Sequence, residues 1–302
     1  MDSSIRVFGG RSGVANQMLA PSRSDVWRER LHLVTTRPTG LASLTVLCAL
    51  LSAAIAAPAL TRYSPIEMNP GAELQAPSIG HPFGTDEYGR DLFSRTLFGL
   101  RVSFIAGGIS ALVGGIVGVA LGLVAGFQGG KTEAVIMRII DGLIAFPAIL
   151  MGIAVVAALG PGLRNVTITI AVVQVPVFAR LAHSTTLAEK HKEYVTAAVS
   201  IGASPVRVML QHILLNSLSP LLVQAALAMG FAVLIEASLS FLGLGIEPPE
   251  PSLGSILDAS RSKMRYAFWY PLFPGAVLTL LLFALNGLAD VLNDLLNPRP
   301  RG

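Results

Sequence analysis

The sequence predicts an all-α integral membrane protein with six transmembrane helices. Of the 302 residues, 52% are hydrophobic and only 13% are charged, whereas soluble domains carry about 25% charged residues. Long apolar runs also recur along the chain, and about 20 such residues in a helix cross the hydrocarbon core of a bilayer. The runs lie at residues 41–60, 102–127, 139–158, 165–182, 217–245 and 271–290.

The first run, 41–60, has no charged residue and follows a polar segment of about 40 residues. A cleaved signal peptide is the alternative interpretation, since "AIAAPA" offers small residues at a plausible cleavage site. The run is longer than a usual signal core, however, and the leading segment is too long. We therefore interpret it as an uncleaved transmembrane helix. The second run, 102–127, is rich in glycine, which lets helices pack closely in lipid.

Prolines lie inside three of the runs, at Pro147, Pro176 and Pro274. Each removes a backbone donor, which a helix bundle tolerates where neighbouring groups satisfy the freed carbonyl. At Pro147 and the preceding Phe146 we expect packing contacts and a kink.

Six spans place both ends of the chain on one side of the membrane. With the two tails, the 128–138 loop and the 180–215 segment on that side, it holds 14 of the 22 Lys and Arg residues. Because Lys and Arg are enriched in cytoplasmic loops, we predict that both termini are cytoplasmic. The predicted organisation is a cytoplasmic tail (1–40), a first transmembrane helix (41–60), an extracytoplasmic segment (61–100), a transmembrane domain (101–290) and a second cytoplasmic tail (291–302).

Composition also argues against several kinds of site. The net charge of +4 is modest, and the basic residues do not alternate with aromatic ones, so we predict no nucleic-acid partner. The five histidines show no metal-ligand spacing, and we predict no metal site. Cys48 is the only cysteine, which excludes an intrachain disulfide.

The stretch "AGFQGGKT" at residues 125–132 fits a relaxed nucleotide-binding pattern, with Ala125 where the strict form has glycine. A working phosphate loop lies between a buried strand and a helix. Here a long apolar glycine-rich run precedes the loop, and the chain re-enters the membrane within about ten residues. We therefore predict that this chain binds no ATP and has no catalytic residues.

Residues 180–216 are long for a connection between spans and have the pattern of a structured segment. Thr186 and Glu189 have the spacing of a capping box that would start a helix. Gly202 predicts a helix end, and Ser204 followed by Pro205 predicts a new helix start. The segment is thus expected to be helix, glycine break, helix, with Val206, Leu210 and Ile213 on one face. A solvated amphipathic loop is the alternative from the residues alone.

Within this segment "TAAVSIGASPVRVMLQHIL" resembles the EAA loop of binding-protein-dependent ABC importer permeases, in particular the "C" permease subunit of the dipeptide, oligopeptide and nickel branch. Other stretches agree in order and spacing from about residue 41 to residue 299. They are "HPFGTDEYGRDLFSRTLFGLRVSF" (81–104), "GFQGGKTEAVIMRIIDGLIAFPAIL" (126–150), "EASLSFLGLGIEPPEPSLGSIL" (236–257) and "FPGAVLTLLLFALNGLADVLNDLLNPR" (273–299).

The resemblance implies a type I ABC importer permease fold in which the EAA loop, about 184–216, docks into a separate ATPase subunit. It implies a docking helix over 193–202 with small residues at the contact. Two positions depart from the motif, Thr196 in place of glutamate and Leu215 in place of proline. The coupling residues it implies are Glu193, Ala197, Ala198, Gly202, Ala203, Ser204 and Arg207.

The resemblance further implies a second permease, two cytoplasmic ATPases that bind ATP and Mg²⁺, an external substrate-binding protein, and a bacterial inner membrane location. This chain itself would hold no cofactor. Di- or oligopeptides are the expected substrate, with nickel or another small solute as the alternative. A gradient-driven secondary transporter would show paired intramembrane charges or inverted repeats, and an intramembrane enzyme would show a metal cluster or a Ser–His arrangement. Neither pattern is present.

A few residues inside the runs are candidates for the pathway or gate: Glu236, Phe146, Pro147 and Asn286. Glu236 would be costly facing lipid, and the alternative is a buried carboxylate bonded to serines such as Ser238. Asn286 could instead join helices. Outside the runs, 81–95 could brace the spans, meet a binding protein, or only pair internally.

Overall fold

The computed structural model describes residues 38–296. The remaining residues of the two predicted tails, 1–37 and 297–302, lie outside this range. A π-helix covers Val208–Leu214. The α-helices are α1 (Pro38–Ile55), α2 (Ala57–Leu60), α3 (Leu92–Gln128), α4 (Gly130–Ile144), α5 (Ala148–Leu159), α6 (Leu163–Lys190), α7 (Glu193–Ser200), α8 (Pro205–Arg207), α9 (Leu218–Phe241), α10 (Leu253–Ser260) and α11 (Trp269–Leu296).

Four of these helices, α3, α6, α9 and α11, are long and apolar enough to cross a membrane. Helices α4 and α5 meet that test only as a pair, and α1 is apolar but shorter. Each of the six predicted runs overlaps a helix or a helix pair. The all-helical fold class is therefore confirmed for the described residues, with four spans by length, or five when the pair is one span.

The break between α4 and α5 lies at Pro147, where the two helices meet at 94°. Proline has no backbone N–H and disfavours helical geometry in the residue before it. Pro147 itself is extended, with ψ 129°, and α5 begins at the next residue. Pro176 and Pro274, in contrast, lie inside continuous helices. The third predicted run, 139–158, is therefore a sharply broken helix. The runs that contain Pro176 and Pro274 form helices without a break.

Helix α3 is 37 residues long, about 55 Å, and packs along α6 through glycine. A Cβ placed on Gly114 would lie 2.7 Å from the carbonyl oxygen of Ala171, and one on Gly118 would lie 2.5 Å from that of Val175. No side chain fits at those distances, so the glycines permit the close approach. The glycines that recur every four residues on this face are Gly114, Gly118, Gly122 and Gly126.

Helix α9 lies among the other long helices and joins two apolar clusters. Leu239 of α9 packs with Val156 of α5 and Ile170 of α6. Val233 of α9 packs with Leu100 of α3 and with two leucines of α11, and Ala54 of α1 belongs to the same cluster. The core thus forms between helices that are distant in sequence.

The bundle has two ends. Near the start of α3, Arg95 Nη1 donates a hydrogen bond to the carbonyl of Pro65 at 2.8 Å; we name this the 61–91 end. Near the other terminus of α3, Lys190 Nζ donates to the carbonyl of Phe127 at 2.5 Å. Lys190 is the last residue of α6, and α7 begins shortly after it. We name this the α7 end.

Candidate functional site

Helix α6 continues through the position where the sequence predicted a new helix start. The hydroxyl of Ser184 donates to the carbonyl of Leu181 at 2.9 Å, and that of Thr186 donates to the carbonyl of Ala182 at 2.6 Å. Hydroxyls that are satisfied within their own helix do not cap another one. The predicted capping box at Thr186 is therefore wrong, and α7 begins only at Glu193.

The break after α7 has the predicted geometry. Gly202 has φ +84°, a left-handed conformation that glycine adopts without a Cβ penalty. Ser204 then accepts a hydrogen bond from the backbone N–H of Arg207 at 3.4 Å, with Pro205 in the first turn of α8. The helix, glycine break, helix interpretation of the end of this segment is confirmed, with α7 and α8 as the two helices.

The π-helix after α8 changes which side chains face the protein. Val208 and Ile213 have no exposed surface, whereas Val206 is 58% and Leu210 48% exposed. The predicted apolar face of Val206, Leu210 and Ile213 is therefore wrong. The π-helix closes hydrogen bonds at i to i+5, which places Val208 and Ile213 on the same inward side, against Leu123.

The α7 end carries an exposed surface with apolar side chains. Val199 is 55% and Ile201 87% exposed, and Glu193 and Ala197 are also exposed. Ala198 is only 6% exposed, so it packs inward and only one of the two predicted contact alanines lies outside.

Two further coupling candidates differ in their surroundings. Ala203 is half-buried and packs on the cluster that contains Val208. Arg207 is exposed, and its Nε donates to Gln211 Oε1 at 3.2 Å.

Tyr194 connects α7 to the neighbouring segments. Its hydroxyl donates to Glu189 Oε2 at 2.6 Å and approaches the carbonyl oxygen of His212 at 3.3 Å. Lys192 pairs with the other carboxylate oxygen of Glu189 at 2.7 Å. Partial burial and the hydrogen bond to Glu189 raise the pKa of Tyr194 to about 12. The phenol therefore stays protonated, and remains a donor, at physiological pH.

Helices α4 and α6 are joined by two side-chain contacts near the same end. His183 Nε2 lies 2.7 Å from Glu133 Oε1, in a partly buried position. Arg180 and Asp141 are 2.5 Å apart, but both side chains are about half exposed, and exposed pairs contribute little to stability.

The "GGKT" turn lies between two helices. Helix α3 ends at Gln128 and α4 begins at Gly130, with φ +69° at Gly129 and +56° at Gly130. Among residues 38–296 no strand precedes this turn. The strand, loop and helix of a phosphate loop are therefore not formed here.

At the 61–91 end, Asp86 is the centre of a buried ionic network. Its Oδ2 accepts from Arg90 Nε at 2.6 Å, and Arg95 Nε lies 3.4 Å away. Its Oδ1 accepts the backbone N–H groups of Tyr88 and Arg90 at 2.8 and 2.9 Å. All of these carboxylate contacts are internal to the chain.

The network continues toward other segments. Asp91 bonds to His81 Nδ1 at 2.9 Å and accepts from the N–H and hydroxyl of Ser94, each at 2.7 Å. The hydroxyl of Tyr270, in α11, donates to Glu87 at 2.5 Å. Three roles were predicted for 81–95. These contacts pair the segment internally and also brace it on α11.

Glu236 lies in the middle of the bundle with no exposed surface. Its carboxylate accepts from the hydroxyls of Ser103 in α3 and Ser240 in α9, each at 2.9 Å. The hydroxyl of Ser238, the serine that the sequence suggested, donates instead to the carbonyl of Leu234. Glu236 thus joins α3 to α9, and any role in a gate stays a prediction.

The other pathway candidates lie on open surfaces. Phe146 is 64% exposed at the α4–α5 break, beside the exposed Pro147. Asn286 lines a groove of about 410 Å³ between α6, α9 and α11. The described residues contain no group of three or more His, Cys, Asp or Glu side chains that could hold a metal ion.

Comparison with known proteins decides the family. The family of binding-protein-dependent transport system inner membrane components matches residues 118–302. The chain belongs to this family. It is therefore a multi-pass membrane component of such a transport system, and the resemblance noted in the sequence is confirmed.

Similar permeases align along most of the chain. The dipeptide transport system permease protein DppC of Alkalihalophilus pseudofirmus is 41% identical over 273 residues, 90% of each chain. The probable D,D-dipeptide transport system permease protein DdpC of Escherichia coli is 39% identical over 88% of this chain and 89% of its own. The glutathione transport system permease protein GsiD of Pectobacterium atrosepticum is 44% identical over 74% and 75%.

Sequence reasoning missed several polar residues of this permease that the structure brings together. Gln174 and Gln224 line the same groove as Asn286, and Ser103 and Ser240 bond to Glu236. The signal that selected Asn286, an amide inside an apolar run, applies equally to Gln174 and Gln224. Nothing in the sequence pairs Ser103 with Glu236, because 133 positions separate them.

Proposed function

We propose that this chain is one of two permease subunits of an ATP-driven importer and forms half of its translocation pathway. Its family membership and the peptide, D,D-dipeptide and glutathione transport named in its relatives support this proposal. The proposed substrates are di- or oligopeptides, moved inward across the inner membrane of a bacterium. Both termini are cytoplasmic, and α1 and the α4–α5 pair provide the first and third of six spans.

The proposed partners are a homologous second permease, two cytoplasmic ATPases that bind ATP and Mg²⁺, and an external binding protein. The exposed apolar surface at the α7 end carries the coupling proposal. Val199, Ile201 and Val206 are each more than half exposed, and apolar patches of this kind mark interaction sites. ATPase closure would move this surface, and Tyr194 would pass the displacement to Glu189 at the end of α6.

The pathway itself is proposed to run along the open membrane-embedded surfaces. Asn286 in the groove and Phe146 and Pro147 at the α4–α5 break lie on such surfaces, and rocking of the two permeases would alternate access to them. Glu236 would hold α3 and α9 together during this motion.

The test is to isolate the tagged chain in mild detergent and identify its partners. We expect two ATPases and a second permease, and uptake of a labelled dipeptide by vesicles that contain the complex and its binding protein. Ile201→Asp should remove the ATPases from the complex, because it places a charge in the apolar contact. The matched control is Ile79→Asp, at a side chain that is 99% exposed at the opposite end, which should retain them.

Isolation of the wild-type chain alone, or equal ATPase recovery from both variants, would contradict the coupling proposal. Uptake of Ni²⁺ in place of peptides would contradict the proposed substrate.

A further inference from the structure

One membrane-embedded groove contains three amide side chains among apolar ones. It lies between α6, α9 and α11, has a volume of about 410 Å³, and includes Gln174, Gln224 and Asn286. Its apolar wall includes Leu227, Phe231 and Leu234, which are 40% to 45% exposed. We name it the amide groove. Its size and its few polar groups in an apolar lining are those of a small-molecule site.

The three amides have hydrogen-bonding capacity that the chain does not use. Gln174 is 2% exposed, and its Nε2 donates to the carbonyl of Ala228 at 2.7 Å. Asn286 Nδ2 donates to Leu282 within its own helix at 2.9 Å. Gln224 has no side-chain hydrogen bond within residues 38–296. Since an amide has two donor hydrogens and an acceptor oxygen, each of the three can bond to a further group.

The chemistry of the occupant follows from these unused groups. A lipid acyl chain has no hydrogen-bonding group, so it leaves the amides unsatisfied, which is costly in a membrane. A helix of a second permease has its backbone N–H and C=O groups bonded internally, so it could bond to the three amides only through polar side chains of its own. An extended peptide, in contrast, has free N–H and C=O groups along its backbone, and both bond to side-chain amides.

We propose that the amide groove binds the backbone of the transported peptide, with Gln224 and Asn286 bonded to its peptide groups and Phe231 packed against its side chains. This proposal rests on the proposed function and adds the residues that contact substrate. Because the amides carry no charge and bond to groups common to every peptide, the groove accepts peptides of different sequence.

The test places a photoreactive phenylalanine analogue at Phe231 in the complete importer. The matched control places it at Phe283, which is 52% exposed on α11 but does not line the groove. With a radiolabelled dipeptide, binding protein and ATP, irradiation should label the chain from position 231 and not from 283. Crosslinking only to the second permease or to lipid, or equal labelling at both positions, would overturn the proposal.

A second set of variants does not depend on the photoreactive group. Gln224→Leu and Asn286→Leu keep the side chains close in size but remove hydrogen bonding. Each should lower dipeptide uptake about fivefold or more, with the ATPases still bound. Gln128→Leu, the same change at an exposed position outside the groove, should leave uptake unchanged.

The outcomes separate the two proposals. Normal uptake by both groove variants, beside active wild-type importer, would overturn the groove and leave the proposed function intact. No peptide uptake by the wild-type complex would overturn both.

Discussion

Two buried carboxylates of this permease have different environments. Asp86 faces two arginines and two backbone N–H groups at the 61–91 end. Within residues 38–296 Glu236 faces no arginine and accepts from serine hydroxyls in the bundle, among them those of Ser103 and Ser240. Removing a buried group costs most where it leaves partner charges unpaired, so the two residues should respond differently to substitution.

Asp86→Ala should lower the free energy of unfolding by about 3–5 kcal/mol, because the buried Arg90 and Arg95 would lose the carboxylate that faces both of them. The measurement is thermal unfolding of the purified chain in detergent. The control is Glu67→Ala, at an exposed side chain, which should leave the thermal unfolding midpoint nearly unchanged. A midpoint for Asp86→Ala equal to that of this control would mean that the network does not brace the fold.

Glu236→Leu should be destabilised by about 2 kcal/mol or more, because the hydroxyls of Ser103 and Ser240 lose their acceptor in an apolar interior. Glu236→Gln retains an acceptor oxygen and should lose less. Thermal unfolding of the two variants together with peptide uptake checks this. If Glu236→Leu unfolds like the wild type but transports poorly, the residue acts in the pathway and does not join the helices.

At the scale of elements, the long contact between α3 and α6 depends on the absence of side chains. Four glycines of α3 face backbone atoms or Cβ atoms of α6 at distances that exclude a methyl group: Gly114, Gly118, Gly122 and Gly126. Gly108, also in α3, has no heavy atom within 4 Å of its Cβ position. Helix α3 thus contains glycines with no room for a Cβ atom and a glycine with open space at that position.

Gly118→Ala should destabilise the chain by about 1–3 kcal/mol, the usual cost of overpacking. Gly108→Ala should be neutral or slightly stabilising, because alanine is favoured over glycine in a helix by about 1 kcal/mol. Thermal unfolding midpoints in detergent measure the difference. The same shift in both variants would mean that helix propensity, and not the contact with α6, decides the effect.

At the scale of the whole molecule, the proposed topology places the two ends of the bundle on opposite sides of the membrane. In the proposed arrangement Ser78 and Ser262 lie outside the cell membrane, and Lys131 lies in the cytoplasm. Three crossings, by the α4–α5 pair, α6 and α9, separate Lys131 from Ser262. The broken helix α4–α5 is the element on which this count depends.

Single cysteines at these positions test the topology in a Cys48→Ser background. Ser78→Cys and Ser262→Cys should react with a membrane-impermeant maleimide on intact cells. Lys131→Cys should react only after the membrane is permeabilised, because its loop faces the cytoplasm in the proposed arrangement. Protection of Ser262→Cys on intact cells, together with Lys131→Cys, would place both positions on one side and would contradict a crossing by α4–α5, and with it the six-span arrangement.

The sequence by itself determined the helical class, the apolar runs, the Gly202 break and the family. These depend on local composition, on hydrophobic period and on short motifs. Two of its predictions were wrong: the capping box at Thr186, whose hydroxyl is satisfied inside α6, and the shared apolar face of Val206, Leu210 and Ile213, where the chain forms a π-helix. Both depend on how the backbone closes its hydrogen bonds, which residue types alone do not specify.

Only the tertiary structure decided which distant residues meet. Ser103 and Glu236 bond across two helices, Tyr270 bonds to Glu87, and Gln174 and Asn286 line one groove. Such pairs follow from how packed helices are rotated and shifted relative to one another. Close contacts, such as that of Gly118 in α3 with α6, set this arrangement. A single sequence encodes those contacts, but no periodicity within one helix reveals its partner on another.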